Sequence, residues 1–431
     1  MYKKILFALF VFLINTNHIN AQQIHKDIQL FITTGQYDKA LELSEKLITE
    51  NPDDANLHYQ QSVILKQLYK YPEAINSIEK ALKIDPENIT YLSEYATILA
   101  KKDKDAQAFL IWNKILNKDS TNSNAGVIVA NQYIKDKKFD KAYRIYQNLY
   151  ESDTLNGFFA RNLGFCSVKL LNSKNSVKWL EKAIQIDSTD IKAYEYLSTV
   201  YASLKDYEYA IVVVEKAIKI EPENENLYIR LGELSLFQNH NYQAIPPFEK
   251  AYKLNPENEY VLKNLGQCHF NIDEYSEAKR YLKLAELIVN DFQVFQYLGD
   301  IYAKMGTIDS SIIYYNKALE LVRPDYVSLF FINEKIGKAY YEMADFQKSI
   351  EAFKSAIDTQ VENNLWMGFQ QDKLMIDIAS IYADKLNDKK TAIEYFKKVK
   401  KAKVIYRMDY YQYAQDQITK LNEELFFEGK L

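Results

Sequence analysis

Apolar and small residues return along this chain with a period of 34 residues. The clearest series is Ala40, Ala74, Ala108, Ala142, Ser176, Ala210, Ala244 and Ala278. Within a period, apolar residues follow one another at i, i+4 and i+7, as in Ala244, Phe248 and Ala251, which is the spacing of one face of an α-helix. A fixed period of this length predicts stacked helical units instead of a chain folded around one closed core.

Each period predicts a pair of packed helices joined by a turn. Counted in this way, the units begin at residues 21, 55, 89, 123, 157, 191, 225, 259, 292, 330 and 372. Position 8 is small in ten units and position 24 is large, so we expect small residues to face large ones between the two helices. Glycine at position 15, as in Gly35 and Gly306, predicts a left-handed residue that ends the first helix.

This pattern resembles the tetratricopeptide repeat (TPR) family over roughly residues 22 to 400. Repeat 6 carries the resemblance most fully, with Tyr194, Leu197, Ser198, Tyr201, Ala210, Val214, Ala217 and Pro222. The resemblance implies an all-α, TPR-type α-solenoid, in which about eleven helical hairpins form a right-handed superhelix. It also implies an inner groove that is lined by the first helices and binds peptides or partner proteins.

Three places depart from the regular pattern. Pro246 and Pro247 fall inside the second helix of repeat 7, so this helix is expected either to begin late or bend there, or to hold Pro246 in its first turn. Steps of 38 and 42 residues predict longer connections before repeats 10 and 11. In the second of them, a segment with Leu365, Trp366, Met367 and Phe369 either packs against repeat 10 or forms an apolar partner site.

Both ends of the chain are predicted to differ from the solenoid. Residues 1–21, with Lys3, Lys4 and ten apolar residues over 5–14, have the layout of a secretory signal that is cleaved after Ala21; an uncleaved anchor is the alternative. We therefore expect an exported protein, periplasmic or associated with the outer membrane, without a transmembrane segment in the mature chain. Residues 22–402 are assigned to one solenoid domain, and residues 403–431 to a capping helix that covers its last apolar face.

The net charge argues against binding to nucleic acid or anionic membranes, and the positions of the two cysteines argue against a disulfide. The formal net charge is −4, and removal of residues 1–21 takes away two lysines, which leaves −6. General binding to nucleic acid or to anionic membranes requires a basic excess, so we expect neither. Cys166 and Cys268 occupy equivalent positions three repeats apart, too far for a disulfide, and are predicted to be buried apolar fillers.

The sequence contains no recognisable catalytic, cofactor-binding or metal-binding motif. Its histidines fall in separate repeats, and neither a Cys-x-x-Cys pair nor a glycine-rich phosphate loop occurs. His269 takes a position at which other repeats place tyrosine, which predicts a packed core histidine. We therefore predict a non-catalytic protein without a cofactor.

The groove positions of the resembled family point to a partner-binding site in repeats 2 to 5. Those positions are 2, 5, 9, 12 and 13 of each first helix. The candidate binding residues are Tyr59, Lys66, Lys101, Lys135, Phe158, Arg161, Phe165 and Lys169. Lysines and acids are mixed at the same positions of repeats 6 to 11, so the groove is predicted to be polarised. Cations among aromatic rings suit an extended peptide with acidic groups or a free carboxylate.

Other interpretations of this groove remain open. Lysine at position 13 is common in the family, and only Asn131, Asn162 and Lys192 match the five-residue carboxylate clamp that some members carry. The leading hypothesis is an exported scaffold that binds proteins or peptides. The alternatives are a structural subunit of a bacterial envelope secretion or assembly complex, and a module that binds cell-wall glycans. Reversal of Lys66 and Arg161 to glutamate is expected to abolish groove binding and to leave the helices intact.

Overall fold

The computed structural model describes residues 25–322, 325–362, 368–400 and 410–430, and throughout these residues the regular structure is helical. Successive helices alternate between the first and the second helix of a hairpin. The first helices are α1 (25–33), α3 (Ala55–Gln67), α5 (Ile89–Lys101), α7 (Ser123–Lys135), α9 (Gly157–Lys169), α11 (Ile191–Ser203), α13 (Glu225–Phe237), α15 (Glu259–Asn271), α17 (Phe292–Lys304), α19 (Tyr326–Glu342) and α21 (Gly368–Ser380).

The second helices follow after short turns. They are α2 (Tyr37–Glu50), α4 (Tyr71–Ile84), α6 (Asp105–Lys118), α8 (Phe139–Ser152), α10 (Ser173–Ile186), α12 (Tyr207–Ile220), α14 (Asn241–Leu254), α16 (Tyr275–Ile288), α18 (Ile308–Leu321), α20 (Phe346–Glu362) and α22 (Lys389–Phe396). A last helix, α23 (Tyr410–Phe427), stands outside the hairpins. Eight first helices, α3 to α17, begin at the first residue of their predicted repeat, so the prediction of an all-α repeat of helical hairpins is confirmed.

Local sequence sets both turns of each repeat. Asn or Asp precedes most first helices, and its side chain accepts hydrogen bonds from the free backbone N–H groups, as Asp54 does from Asn56 and Leu57. At position 15 the backbone is left-handed, with φ of +71° at Gly35 and +74° at Gly306. Non-glycine residues adopt the same left-handed conformation in other turns, among them Lys137 and Leu171. The packing of the two helices therefore imposes this conformation at position 15 even where the residue is not glycine.

In five hairpins a glycine at position 8 of the first helix faces a large residue at position 24 of the second, as predicted. Gly232 on α13 lies directly against Phe248 on α14, and a Cβ built at Gly232 would come within 2.7 Å of the Phe248 ring. The same pairing joins Gly299 to Tyr315, where the gap would be 2.5 Å. Because these large side chains are almost fully buried, the close approach of the two helices forms the core of each repeat.

The described chain separates into two compact units, residues 1–213 and 214–431, and the division falls inside α12. In the N-terminal unit, apolar clusters follow one another from hairpin to hairpin, for example around Trp112 and Ile115 and then around Tyr146 and Phe159. In the C-terminal unit, a larger continuous cluster includes Phe248. Each unit therefore builds its core between neighbouring helices.

Two irregular repeats differ from what their sequences predict. Helix α14 begins at Asn241 and continues through Pro246 and Pro247, so the late start and the placement of Pro246 in the first turn are both wrong, and the expected bend at these prolines stays a prediction. The four extra residues before repeat 10 are not a longer connection. They add one turn to the start of α19, which has 17 residues where most first helices have 13. An extra turn of amphipathic helix keeps its backbone hydrogen-bonded, which a longer loop would not do.

The C-terminal repeat ends in two further features. One is a π-helical turn, Ile381–Lys385, that follows α21 directly. The other is α23, which buries Ala414, Leu421 and Leu425 against the apolar side of α21 and α22. Lys389 on α22 also contacts Glu424 of α23 at 2.9 Å. The predicted capping helix is confirmed over the residues that the structure describes.

Several smaller predictions can be compared with the same structure. Cys166 and Cys268 are free, fully buried thiols, and burial raises the pKa of each to about 12. His269 is buried as predicted, with its ring stacked on Tyr281. In the described part of the chain, no helix combines the length and the apolar character that crossing a membrane requires. The predicted signal, residues 1–21, and the apolar segment 365–367 lie outside the described residues, as does the side chain of Phe369.

Candidate functional site

The candidate residues lie on one face of the N-terminal unit, formed by the first helices α3, α5, α7 and α9; we call it the first-helix face. Two pairs of neighbouring first helices in this unit pack closely on each other, α3 with α5 and α9 with α11. The hairpin packing directs their apolar positions toward the second helices. The groove positions 2, 5, 9, 12 and 13 therefore lie on the side of each first helix that faces away from its second helix.

Lys66 does not present a free charge on this face. Its ammonium lies 2.8 Å from the Glu94 carboxylate on the next first helix, and both side chains are largely buried. Next to this pair, the rings of Tyr59 and Tyr91 pack with their centroids 5.2 Å apart. Burial, together with the nearby Glu94 charge, raises the pKa of Tyr59 above its usual value. This group of side chains joins repeats 2 and 3, and a ligand would have to break it to reach Lys66.

Arg161 is held in the same way by the following repeat. One guanidinium nitrogen donates to both carboxylate oxygens of Asp190 at 2.8 Å, and the Asp190 side chain is only 7% exposed. The guanidinium also lies over the Phe158 ring, 5.1 Å from its centroid. Reversal of Lys66 and Arg161 to glutamate would place carboxylates against Glu94 and Asp190. We therefore expect this double reversal to destabilise the contacts between repeats, so it would not test groove binding separately from stability.

The contact of Arg161 belongs to a periodic set that sequence reasoning missed. A basic residue at position 5 meets the acidic N-cap of the next first helix in three places. The pairs are His25 with Asp54 at 3.1 Å, Arg161 with Asp190 at 2.8 Å, and Lys263 with Asp291 at 2.6 Å. These three acids precede the first helices and so lie outside the groove positions from which the candidate residues were chosen. The signal that could have found them is the Asn or Asp that returns just before each first helix.

Three lysines of the first-helix face remain available to a ligand. Lys101, Lys135 and Lys169 occupy position 13 of three successive first helices, are exposed, and have no carboxylate within ion-pair distance among the described residues. Phe165 lies beneath the last of them, with the Lys169 ammonium 5.5 Å from its ring centroid. Phe158 is 38% exposed at the other end of α9. The structure therefore brings together cations and partly exposed rings at repeats 3 to 5.

Most charges at equivalent positions of the C-terminal unit are paired with one another. Lys335 contacts Asp300 at 2.6 Å, and Glu334 accepts from Lys338 at 2.6 Å. Lys373 also reaches Glu334, at 3.5 Å. Within the described residues, no group of His, Cys, Asp and Glu side chains has an arrangement that could hold a metal ion. The face is therefore organised by ion pairs between repeats.

Comparison with known sequences identifies the repeat. Four segments match the tetratricopeptide repeat family, residues 55–88, 191–224, 293–322 and 373–403. Each match begins within one residue of a repeat start found from the 34-residue period. A TPR repeat-containing protein of Methanocaldococcus jannaschii is 22% identical over an alignment of 348 residues that covers 77% of this chain. The chain spans about half of that relative, 55% of its length.

Solved structures of repeat proteins also resemble parts of this chain. One is YrrB, described as a TPR protein with an unusual peptide-binding site, at 19% identity and a TM-score of 0.38 over 44% of this chain and 97% of YrrB. Another is PilF of Pseudomonas aeruginosa, at 19% identity and a TM-score of 0.40 over 47% of this chain and 92% of PilF. Yeast Tom70 is similar along 94% of this chain and 96% of its own, at 15% identity and a TM-score of 0.37.

Proposed function

Because the chain is a tetratricopeptide repeat protein, we propose that it is an exported, non-catalytic scaffold that binds extended, acidic partner segments on its first-helix face. The repeats themselves support a role in protein–protein interaction, and their helical fold is typical of proteins without catalytic activity. The observation that carries the finer proposal is the exposed row of Lys101, Lys135 and Lys169, one from each of three neighbouring repeats.

The spacing of this row suits an extended chain. Packed helices lie about 8–10 Å apart, so neighbouring position-13 lysines are separated by roughly that distance. A polyproline II segment advances about 3.1 Å per residue with three residues per turn, which places every third side chain on the same face, about 9 Å apart. A partner segment with an acidic residue at every third position would therefore meet all three cations. Phe165 offers apolar contact beside Lys169, and Phe158 offers a second apolar contact at the other end of α9.

A designed peptide tests this proposal directly. A labelled peptide of four Glu-Ser-Pro units is extended and presents one carboxylate per turn of about 9 Å. We expect it to bind the wild-type protein, and we expect the triple reversal Lys101→Glu, Lys135→Glu, Lys169→Glu to weaken binding about 30-fold or more. The reason is that three attractive pairs of up to about 1 kcal/mol each become repulsive. Fluorescence anisotropy at low and at physiological salt measures both affinities.

The matched control reverses three exposed lysines on second helices of the same unit. Lys46→Glu, Lys80→Glu, Lys174→Glu changes the net charge equally but leaves the first-helix face unaltered. We expect this control to bind the peptide nearly as the wild type does. Equal losses for both triple variants would mean that only net charge matters, and an unchanged affinity of the first variant would refute the proposed face.

Export is proposed from the first 21 residues of the sequence. Their basic start, apolar run and small residue Ala21 are typical of a cleaved signal. When the full-length chain is expressed in a Gram-negative host, we expect the periplasmic extract to contain a mature protein that begins at Gln22. Intact mass measurement checks this expectation. A full-length protein with Met1 retained in the cytoplasm would overturn it.

A further inference from the structure

A cavity of about 340 Å³ lies between the first helices of the last two hairpins, in the C-terminal unit. Its walls come from α19, α20, α21 and the π-helical turn. Its charged lining residues are Lys338, Glu342, Lys373, Asp377 and Asp384. Ligand pockets in proteins hold about 300–1,000 Å³, so this cavity is of the size that receives one side chain or small group instead of an extended segment.

The lysines that line this cavity form ion pairs, whereas its carboxylates form none with the residues that the structure describes. Both of its lysines are engaged by Glu334, Lys338 at 2.6 Å and Lys373 at 3.5 Å. In contrast, no hydrogen bond or ion pair from another described residue reaches the carboxylates of Glu342, Asp377 or Asp384. Burial raises the pKa of Asp377 above its usual value, although Lys373 and Lys338 oppose that shift. The cavity therefore holds a half-buried carboxylate that forms no ion pair of its own within the described chain, although Lys338 and Lys373 line the same cavity.

The repeat pattern shows that acidic residues at position 13 of the first helix occur only in the last two repeats of the sequence. Position 13 of the first helix is lysine in repeats 3, 4 and 5, where it forms the exposed row of the N-terminal unit. In repeats 10 and 11 the same position is Glu342 and Asp384. Asp384 lies in the π-helical turn, and π-helical turns inside helices often occur at functional sites.

The remaining walls of the cavity are apolar and aromatic. Phe353, 3% exposed, and Tyr341, 42% exposed, line the cavity, and the Tyr341 ring also packs on Phe346 and has the Lys385 ammonium 5.9 Å from its centroid. A guanidinium group matches such a lining because its planar faces pack on aromatic rings and its edge donates to carboxylates. The hydrocarbon part of an arginine side chain would lie along Ile381.

We propose that this cavity binds one arginine side chain of a partner protein, with the carboxylate of Asp377 as its ion-pair partner and those of Glu342 and Asp384 at the opening. The site is distinct from the lysine row of the N-terminal unit and takes the opposite charge. The protein would then hold acidic segments on one unit and anchor a basic side chain on the other.

The test uses a short peptide with a single central arginine, Gly-Ser-Arg-Ser-Gly, blocked at both ends. Its binding to the full-length mature protein is measured by NMR titration or calorimetry, beside the same peptide with lysine or with citrulline, the uncharged analogue of arginine. We expect the arginine peptide to bind most tightly and the citrulline peptide to bind at least 10-fold more weakly. Equal binding of the arginine and citrulline peptides would overturn the proposal.

Two asparagine variants locate the binding site. Asp377→Asn keeps the shape of the side chain and removes its charge, and we expect it to weaken arginine-peptide binding about 10-fold. The matched control is Asp358→Asn, which changes an exposed acid of α20 outside the cavity and should leave the affinity unchanged. Circular dichroism verifies the helix content of both variants. An unchanged affinity in Asp377→Asn would refute the site.

Two further measurements distinguish a metal ion from arginine as the ligand of the cavity, and the cavity from the lysine row as the binding site. If Ca²⁺ binds with the same dependence on Asp377 whereas the arginine peptide does not bind, the cavity is a cation site and the proposal is wrong. The triple reversal of Lys101, Lys135 and Lys169 should leave arginine-peptide binding intact, and Asp377→Asn should leave binding of the Glu-Ser-Pro peptide intact. The two proposals therefore fail independently.

Discussion

Replacement of Phe248 by alanine is expected to lower the free energy of unfolding of the C-terminal unit by about 4 kcal/mol. Phe248 is fully buried on α14, and its ring fills the space that the missing side chain of Gly232 leaves on α13. Since both helices are fixed by neighbouring hairpins, the site cannot collapse easily, and the variant would retain a cavity. Removal of this ring therefore costs both its transfer from water and the lost packing.

The expected loss is local, because each hairpin contacts only its neighbours. Amide hydrogen exchange should show α13 and α14 opening first, and denaturant unfolding should give the free energy change. Tyr242→Ala is the matched control, since Tyr242 belongs to the same helix but is 73% exposed. Comparable losses in both variants would contradict the packing argument, and so would a loss below about 1 kcal/mol for Phe248→Ala.

The second large effect is expected at Asp190, which serves two helices at once. Its carboxylate caps α11 by accepting from the backbone N–H of Ala193 at 3.3 Å, and it also accepts from Arg161 of α9. Asp190→Ala removes the cap, worth about 1 kcal/mol, and leaves a largely buried guanidinium without its partner. Because the Arg161 side chain retains 19% exposure, the total loss is expected to be about 3 kcal/mol, below the sum for a fully buried pair.

A variant at another cap separates the two contributions. Asn122 caps α7 through Ala125 without an ion pair, so Asn122→Ala should cost only about 1 kcal/mol. Arg161→Met, alone and combined with Asp190→Ala, completes a double-mutant cycle in thermal or denaturant unfolding. Equal losses for Asp190→Ala and Asn122→Ala would show that the ion pair contributes nothing to stability.

The repeat could be predicted from the sequence because it depends on spacing alone. A small residue at position 8 and a large one at position 24 recur with the 34-residue period in most repeats, and Gly232 and Phe248 are an instance of their contact. Gly35 and Gly306 indicated the left-handed turn at position 15. The structure extends this turn to residues such as Leu171, which has the same backbone conformation with a side chain that gives no sequence signal.

The charges of the candidate site were harder to predict, because partners come from different repeats. Lys66 and Arg161 were recognised as cations, but the acids that engage them, Glu94 and Asp190, occupy a helix position and an N-cap outside the groove register. Only three-dimensional geometry shows which cations are neutralised. Of the predicted cations in repeats 2 to 5, Lys101, Lys135 and Lys169 are the ones that the structure leaves exposed.

Irregular elements also escaped prediction, for reasons of local energetics. Two prolines in α14 remove two N–H donors, yet the helix continues because burial of Ile245 and Phe248 in the hairpin favours it. The π-helical turn after α21 accommodates one additional residue, so the left-handed residue of this repeat is Asn387, at position 16. Neither feature has a periodic sequence signal. In both, tertiary packing stabilises a local departure from regular α-helical hydrogen bonding.

The left-handed turn residues and the two buried thiols together make this chain convenient for fluorescence spectroscopy. Cys166 and Cys268 are the only cysteines of the sequence, and a thiol with a pKa near 12 in a closed core reacts slowly with maleimide dyes. A cysteine introduced at Lys137 or Leu171 would project from an exposed turn. A dye at each would report the spacing of consecutive repeats, with the native cysteines left in place.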